Sequence, residues 1–365
     1  MHSLRNATPI SSNSPFSQIK MLKATIKPYT LNFAFTAHTS RETFTEKQTY
    51  FFEVYDDKSP DMRGVGEVAV FPSLMPSFHS TNDFREELSY VAENINDYIN
   101  GRPLPENSAI RFGLETALAD YAHGGRGLLY ESEALQTLIK DGIRINGLVW
   151  MNDYDTMRSQ LLQKIDEGFK CIKLKIGAIG FDEELKLIKE IRSNYSLREL
   201  EIRVDANGAF NSHNVYRHLE TLAHYDIHSI EQPIPRDDEG MADVCRYSPI
   251  PVALDEDMIE RWWTTEQMSC WLQKLKPSYI VLKPSLVGGF EHTDKWIYVA
   301  KELGIGWWVT SALESNIGLS AIAQWLSTHP GATDMAHGLG TGKIYTNNPD
   351  GLVCLKGERI YLINE

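Results

Sequence analysis

Cysteine is scarce: the 365 residues hold four, Cys171, Cys245, Cys270 and Cys354. They lie far apart and form no CxxC pair, so neither a zinc site nor a disulfide framework is suggested. That usage fits a reducing compartment, and a cytoplasmic location is the expectation. No apolar run is long enough to span a membrane as a helix. Basic residues are in deficit, 36 Lys and Arg against 49 Asp and Glu, for a net charge of −13. A general nucleic-acid binder needs basic patches, so neither nucleic acid nor membrane is expected as a partner. A small molecule is expected instead, and nothing in the sequence signals an oligomeric state. The first twenty residues lack the apolar h-region of a signal peptide and read as a disordered leader, with Met21 as a second candidate start.

What is present is apolar content, at 42%, enough for one large domain or two ordinary ones. Residues 21–125 read as strands followed by helices. "MLKATIKPYTL", "KQTYFFEVYD" and "RGVGEVAVF" suggest a meander. "NDFREELSYVAENINDYI", with Asn82 as N-cap, and "SAIRFGLETALADYAHG" have helical spacing. A compact α+β domain follows. Near residue 144 the pattern changes. "INGLVWM", "CIKLKI", "LEIRVDA", "IHSIEQP", "IPVALDE", "YIVLKPS" and "IGWWVTS" alternate with amphipathic helices, and an eighth strand is expected near "DMAHGL". Parallel strands with crossover helices result, and the number of units favours a closed barrel over residues 126–340. Residues 341–365 read as short strands returning to the N-terminal domain.

Six consecutive barrel strands end in a charged or polar residue. They carry Lys173 and Lys175, Asp205, Glu231, Asp255, Lys283 and Ser311. A barrel builds its site at that end of its strands. In "CIKLKI" the apolar residues need the face under the helices, so both lysines must point into the barrel mouth. Two desolvated ammonium groups require compensation. Asp205, Glu231 and Asp255 supply it, and three converging carboxylates suggest a hard divalent cation: magnesium, with manganese as substitute. A metal-free lysine–carboxylate network is the alternative. Glu256 is expected to face away from the site if its strand is regular. Asn207 is expected beside the metal, or else as a helix N-cap. Thr310, Ser311 and Glu314 are candidates for substrate contact or support. Residues 35–47, "FTAHTSRETFTEK", read as a polar loop that selects substrate, with Arg41 either meeting a substrate carboxylate or standing as a solvated surface arginine.

With Lys173 and Lys175, "DANG", "EQP", "DED" and "LKPSLVGG" in this order, the chain resembles the enolase superfamily, in its muconate-lactonizing subgroup. The resemblance implies an α/β fold, a modified (β/α)8-type barrel of (β/α)7β form with an α+β capping domain. It implies a carboxylate substrate, magnesium on Asp205, Glu231 and Asp255, and removal of a proton α to the carboxylate. Lys175 would be the base, its pKa lowered by the nearby cation and Lys173. Lys173 would polarise the carboxylate, and Lys283 would face the other side of the intermediate. "TSALESNIGL" and "HGLGTG" resemble the subgroup's dehydratases. Racemases, dipeptide epimerases and cycloisomerases on the same scaffold are the alternative. The DxD pair typical of dipeptide epimerases is missing, because Asp334 has no acidic residue two positions on.

Overall fold

The computed structural model describes residues 21–38, 43–177 and 179–363. The candidate leader and Arg41 lie outside the described residues. The cap opens with an antiparallel meander of β1 (Lys23–His38), β2 (Thr43–Asp56) and β3 (Ser59–Val68). Residues 35–47, expected as a loop, belong mostly to this hairpin, in which Ala37 pairs with Phe44. Aromatic packing carries the strands that far: the ring of Phe33 stacks on Phe44, with centroids 6.2 Å apart.

Helices α1 (Thr81–Glu93), α2 (Ile95–Ile99) and α3 (Ser108–Ala122) follow. Ser80, not Asn82, is the N-cap of α1. Its hydroxyl accepts from the Asp83 amide at 3.1 Å, which Asn82, already inside the first turn, cannot do. Helix α3 lies on the sheet through Gly64 and Gly66, where any Cβ would strike its backbone.

After α4 (Gln136–Lys140) and the short β4 (Ile143–Arg144) the barrel begins. Its units are β5 (Gly147–Val149) with α5 (Tyr154–Asp166), β6 (Cys171–Lys175) with α6 (Phe181–Asn194), and β7 (Glu201–Asp205) with α7 (Val215–Ala223). Then come β8 (Ser229–Glu231) with α8 (Met241–Tyr247), and β9 (Val252–Leu254) with α9 (Thr265–Leu275). The last units are β10 (Tyr279–Leu282), followed by α10 (Pro284–Val287) and α11 (Gly289–Glu302), and β11 (Gly306–Val309) with α12 (Asn316–Ser327). The seven strands β5 to β11 form one parallel sheet in sequence order. Ile172, Leu174, Ile202, Val204 and Ile230 pack outward into the core under the helices.

The eighth position is filled by two residues instead of a strand. His337 bridges to Ile145, and Gly338 bridges to Thr310. This closes the modified barrel. The C-terminal segment divides. Tyr345 bridges to Phe33 of the cap, whereas β12 (Val353–Lys356) pairs with β13 (Arg359–Leu362) and β13 with β4, not with the cap sheet. The open edge of β4 takes these strands, because an unpaired edge is a ready partner. Among the described residues no helix is long and apolar enough to cross a membrane.

The closure contains a pH-sensitive group. The His337 ring is fully buried; Nδ1 accepts from the Val309 amide at 2.9 Å and Nε2 faces the Ala332 carbonyl at 2.9 Å. These partners select the neutral ring with its proton on Nε2. Burial pushes its pKa down to about 3. The folded pKa lies below the unfolded one, so the stabilisation is present above about pH 6.5 and is lost as pH falls toward 3. His337→Asn should flatten the stability curve between pH 6.5 and 4.5 by on the order of 2–3 kcal/mol. Denaturant unfolding across that range measures it, and parallel curves for the two proteins would refute the assignment.

Candidate active site

The alternation in β6 places its side chains as the sequence requires. Lys173 is buried and Lys175 partly so, both on the inner face. Parallel register then sets a level across three strands: Lys175 pairs with Asp205, and Asp205 with Glu231. Asp255 follows the last residue of β9. Asp205, Glu231 and Asp255 each bring a carboxylate oxygen within 4.8 Å of the others.

Three lysines hold these carboxylates. Lys173 Nζ donates to Glu231 Oε1 at 2.6 Å and lies 2.8 Å from Asp205 Oδ2. Lys175 Nζ donates to Asp205 Oδ2 at 2.9 Å and to Asn207 Oδ1 at 2.6 Å. Lys283 donates to Asp255 Oδ2. Burial alone would raise the Asp205 pKa, but the ammonium groups of Lys173, Lys175 and Lys283 outweigh it and hold that carboxyl well below the usual range. Glu231 goes the other way, raised by burial and by the Asp205 charge. Burial works against charge on Lys173, but the carboxylates of Asp205, Glu231 and Asp255 prevail and hold its pKa above that of a free lysine. This is the pattern of groups forced into one low-dielectric space.

The donor set fits a hard divalent cation. All three groups are carboxylates, and Asp255 Oδ1 is buried with no hydrogen-bond partner. A buried carboxylate oxygen without a partner is costly, so the orphan oxygen beside two further carboxylates favours a site that takes a ligand.

Above the carboxylates opens a cavity of about 890 Å³, counted with its mouth, lined by Lys173, Lys175, Asp205, Asn207 and Lys283. Asn207 is no helix cap. Its backbone is left-handed (φ 44°), and its amide donates to Glu256 Oε1 at 3.1 Å. Glu256 therefore lines the cavity, contrary to the expectation from a regular strand. The strand stops at Leu254, and a 3₁₀ turn over Glu256–Met258 swings the side chain back. Thr310 and Ser311 line the cavity; Glu314 does not, and is fully buried beneath them, accepting from Ser285, Ser311 and the Ala312 amide. Sequence reasoning missed Asn146, Leu148 and Trp150 at β5, and Phe71 and Leu74 from the cap, which also line the cavity. Asn146, a polar residue leading into an apolar strand, was a usable signal; the cap residues carried none.

A capped barrel with two lysines on its second strand, three carboxylates on the next three and a lysine on the sixth defines a class. Residues 156–353 match the family described as Enolase C-terminal domain-like, and the chain belongs to the enolase superfamily, as a lyase of it. It is similar to the o-succinylbenzoate synthase of Desulfotalea psychrophila, 40% identical over 346 residues, covering 86% of this chain and 91% of that protein. The crystal structure of MenC from Desulfotalea psychrophila LSv54 matches with a TM-score of 0.73 at 36% identity, over 93% of this chain and 99% of that one. The dipeptide epimerase of Enterococcus faecalis V583, complexed with Mg and the dipeptide L-Leu-L-Tyr, shares the fold, with a TM-score of 0.76 at 19% identity over 94% and 97% of the two chains.

Proposed function

We propose that this chain catalyses the magnesium-dependent syn-dehydration of 2-succinyl-6-hydroxy-2,4-cyclohexadiene-1-carboxylate to o-succinylbenzoate. The observation that carries the proposal is the convergence of three lysines and three carboxylates at one barrel mouth. The similarity to the Desulfotalea psychrophila synthase supports the choice of reaction.

Asp205, Glu231 and Asp255 would hold magnesium, with manganese able to replace it. When bound, that ion supplies positive charge against the substrate carboxylate and so acidifies the neighbouring C–H bond. The remaining work falls to side chains. Lys175 takes the α-proton, and the C–H electron pair delocalises into the carboxylate and ring. Lys173 stays charged at the carboxylate. The pair then forms the last double bond of an aromatic ring as the C–O bond breaks, and Lys175 returns its proton to the departing hydroxyl as water. One lysine on one face serves both steps, hence syn elimination. Lys283 acts as a fixed charge opposite, and Thr310, Ser311 and Asn207 are placed for substrate contact. Arg41 is proposed for contact with a substrate carboxylate on the sequence alone.

A dipeptide epimerase needs acidic groups at the eighth position to hold an ammonium group. Here Gly338, Gly340 and Thr341 line the cavity there, and Asp334 is exposed. That weighs against the epimerase alternative. Lys283 separates a dehydratase from a racemase, which would use it as a second acid–base group. Lys283→Ala should cost on the order of 2–4 kcal/mol in transition-state stabilisation. Lys283→Arg should recover part of this, because an arginine stays charged but cannot yield its proton. Turnover of the cyclohexadiene substrate by the two variants checks it; equal, near-complete loss in both would count against the proposed role.

A further inference from the structure

Leu313 holds a backbone conformation that a bulky residue avoids. Its φ is 61°, in the left-handed region, and it stands in the loop between β11 and α12 where its side chain helps line the active-site cavity. Such a residue stays there only if its surroundings over-determine it. Two long-range donors converge on its carbonyl oxygen. Lys47 Nζ, from β2 of the cap, donates at 3.0 Å, and the Tyr345 hydroxyl donates at 2.8 Å. Its own amide donates to Ser311 Oγ at 3.0 Å.

Lys47 is an unexpected residue to find there. It is 7% exposed, burial pushes its pKa down, and the carboxylates of Glu67 and Glu314 only partly restore it. Neither carboxylate is within ion-pair distance of it among the described residues; the carbonyl of Leu313 is its hydrogen-bond partner. The ammonium therefore has a neutral carbonyl at hydrogen-bond distance and the two buried carboxylates farther off. A second contact runs in parallel. Glu67 of β3 accepts from the Ser315 amide and hydroxyl and from the Gly318 amide, at the start of α12.

We propose that Lys47 is a positioning residue: by holding the Leu313 carbonyl it fixes the left-handed turn that sets the Leu313 wall of the cavity, and so couples the seating of the cap to the substrate fit of the barrel. The proposal rests on the dehydratase reading for its assay.

The test is steady-state kinetics of full-length Lys47→Met, Leu313→Gly and the double variant, with thermal unfolding beside it. Lys47→Met should lower kcat/KM about ten-fold, mainly through KM, with a lower unfolding midpoint beside it, because the buried carboxylates of Glu67 and Glu314 lose their nearby cation. Glycine at 313 adopts the turn without help, so in that background Lys47→Met should change kcat/KM by less than about two-fold. Wild-type KM in Lys47→Met, or losses that multiply in the double variant, would each overturn the proposal, with assays run well below the unfolding midpoint of every variant. Should Lys47→Met not fold, Tyr345→Phe removes the other donor, and it should raise KM about three-fold; an unchanged KM there is equally fatal. Wild-type protein inactive on the cyclohexadiene substrate would instead refute the dehydratase reading, and the kinetics would then be run on N-succinylamino acids.

Discussion

Lys175→Ala should remove nearly all turnover, at least about a thousand-fold, the upper range for a positioned general base. The loss should be chemical and not structural. Asp205 Oδ2 keeps Lys173 at 2.8 Å when Lys175 is gone, so no buried charge is left unpaired. Lys175 itself is only partly buried and lines the cavity. Its removal should therefore leave the unfolding midpoint nearly unchanged. Because the same lysine is proposed to remove the α-proton, the variant should also show no exchange of that proton with deuterated water. Proton NMR of the substrate incubated with the variant in deuterated buffer reads this directly. Exchange at the wild-type rate with no product would place the base elsewhere, and turnover within about ten-fold of wild type would remove Lys175 from the mechanism.

Exhaustive chelation should have an effect of similar size. Three buried carboxylates share one small volume, and without a cation their ion-pair partners are Lys173, Lys175 and Lys283. Chelator-treated protein should lose activity by about a thousand-fold or more and regain it with millimolar magnesium. Independently of activity, magnesium should raise the unfolding midpoint, by about 2.7 kcal/mol of added stability at a hundred times the dissociation constant. Asp255→Asn should abolish that response. Full activity after chelation, or a midpoint blind to magnesium in the wild type, would contradict the assignment of these ligands.

Much of this architecture was legible in the sequence because it depends on short-range periodicity. The two-residue period of "CIKLKI" decides which way Lys173 and Lys175 point, and the strand ends decide which acids reach the mouth. The eighth position was only partly legible: "MAHGLG" holds no alternation, and His337 and Gly338 close the barrel by two bridges. Glu256 was misread because a strand was assumed to continue where the chain turns at Asp255. Residues 35–38 and 43–47, which are strand, were read as part of a loop because their polar composition concealed the Phe33–Phe44 stacking. The Lys47–Leu313 contact, 266 residues apart, follows from tertiary packing and has no local signature.

A dehydration run by this site is read from the product it forms. Purified full-length protein, supplied with magnesium, would be offered the cyclohexadiene substrate, N-succinylamino acids and dipeptides in parallel. Aromatic o-succinylbenzoate should be the main product, with kcat/KM at least about a hundred-fold above any racemisation or epimerisation, a ratio set by differential transition-state binding. Faster racemisation of an N-succinylamino acid, with no o-succinylbenzoate formed, would contradict it.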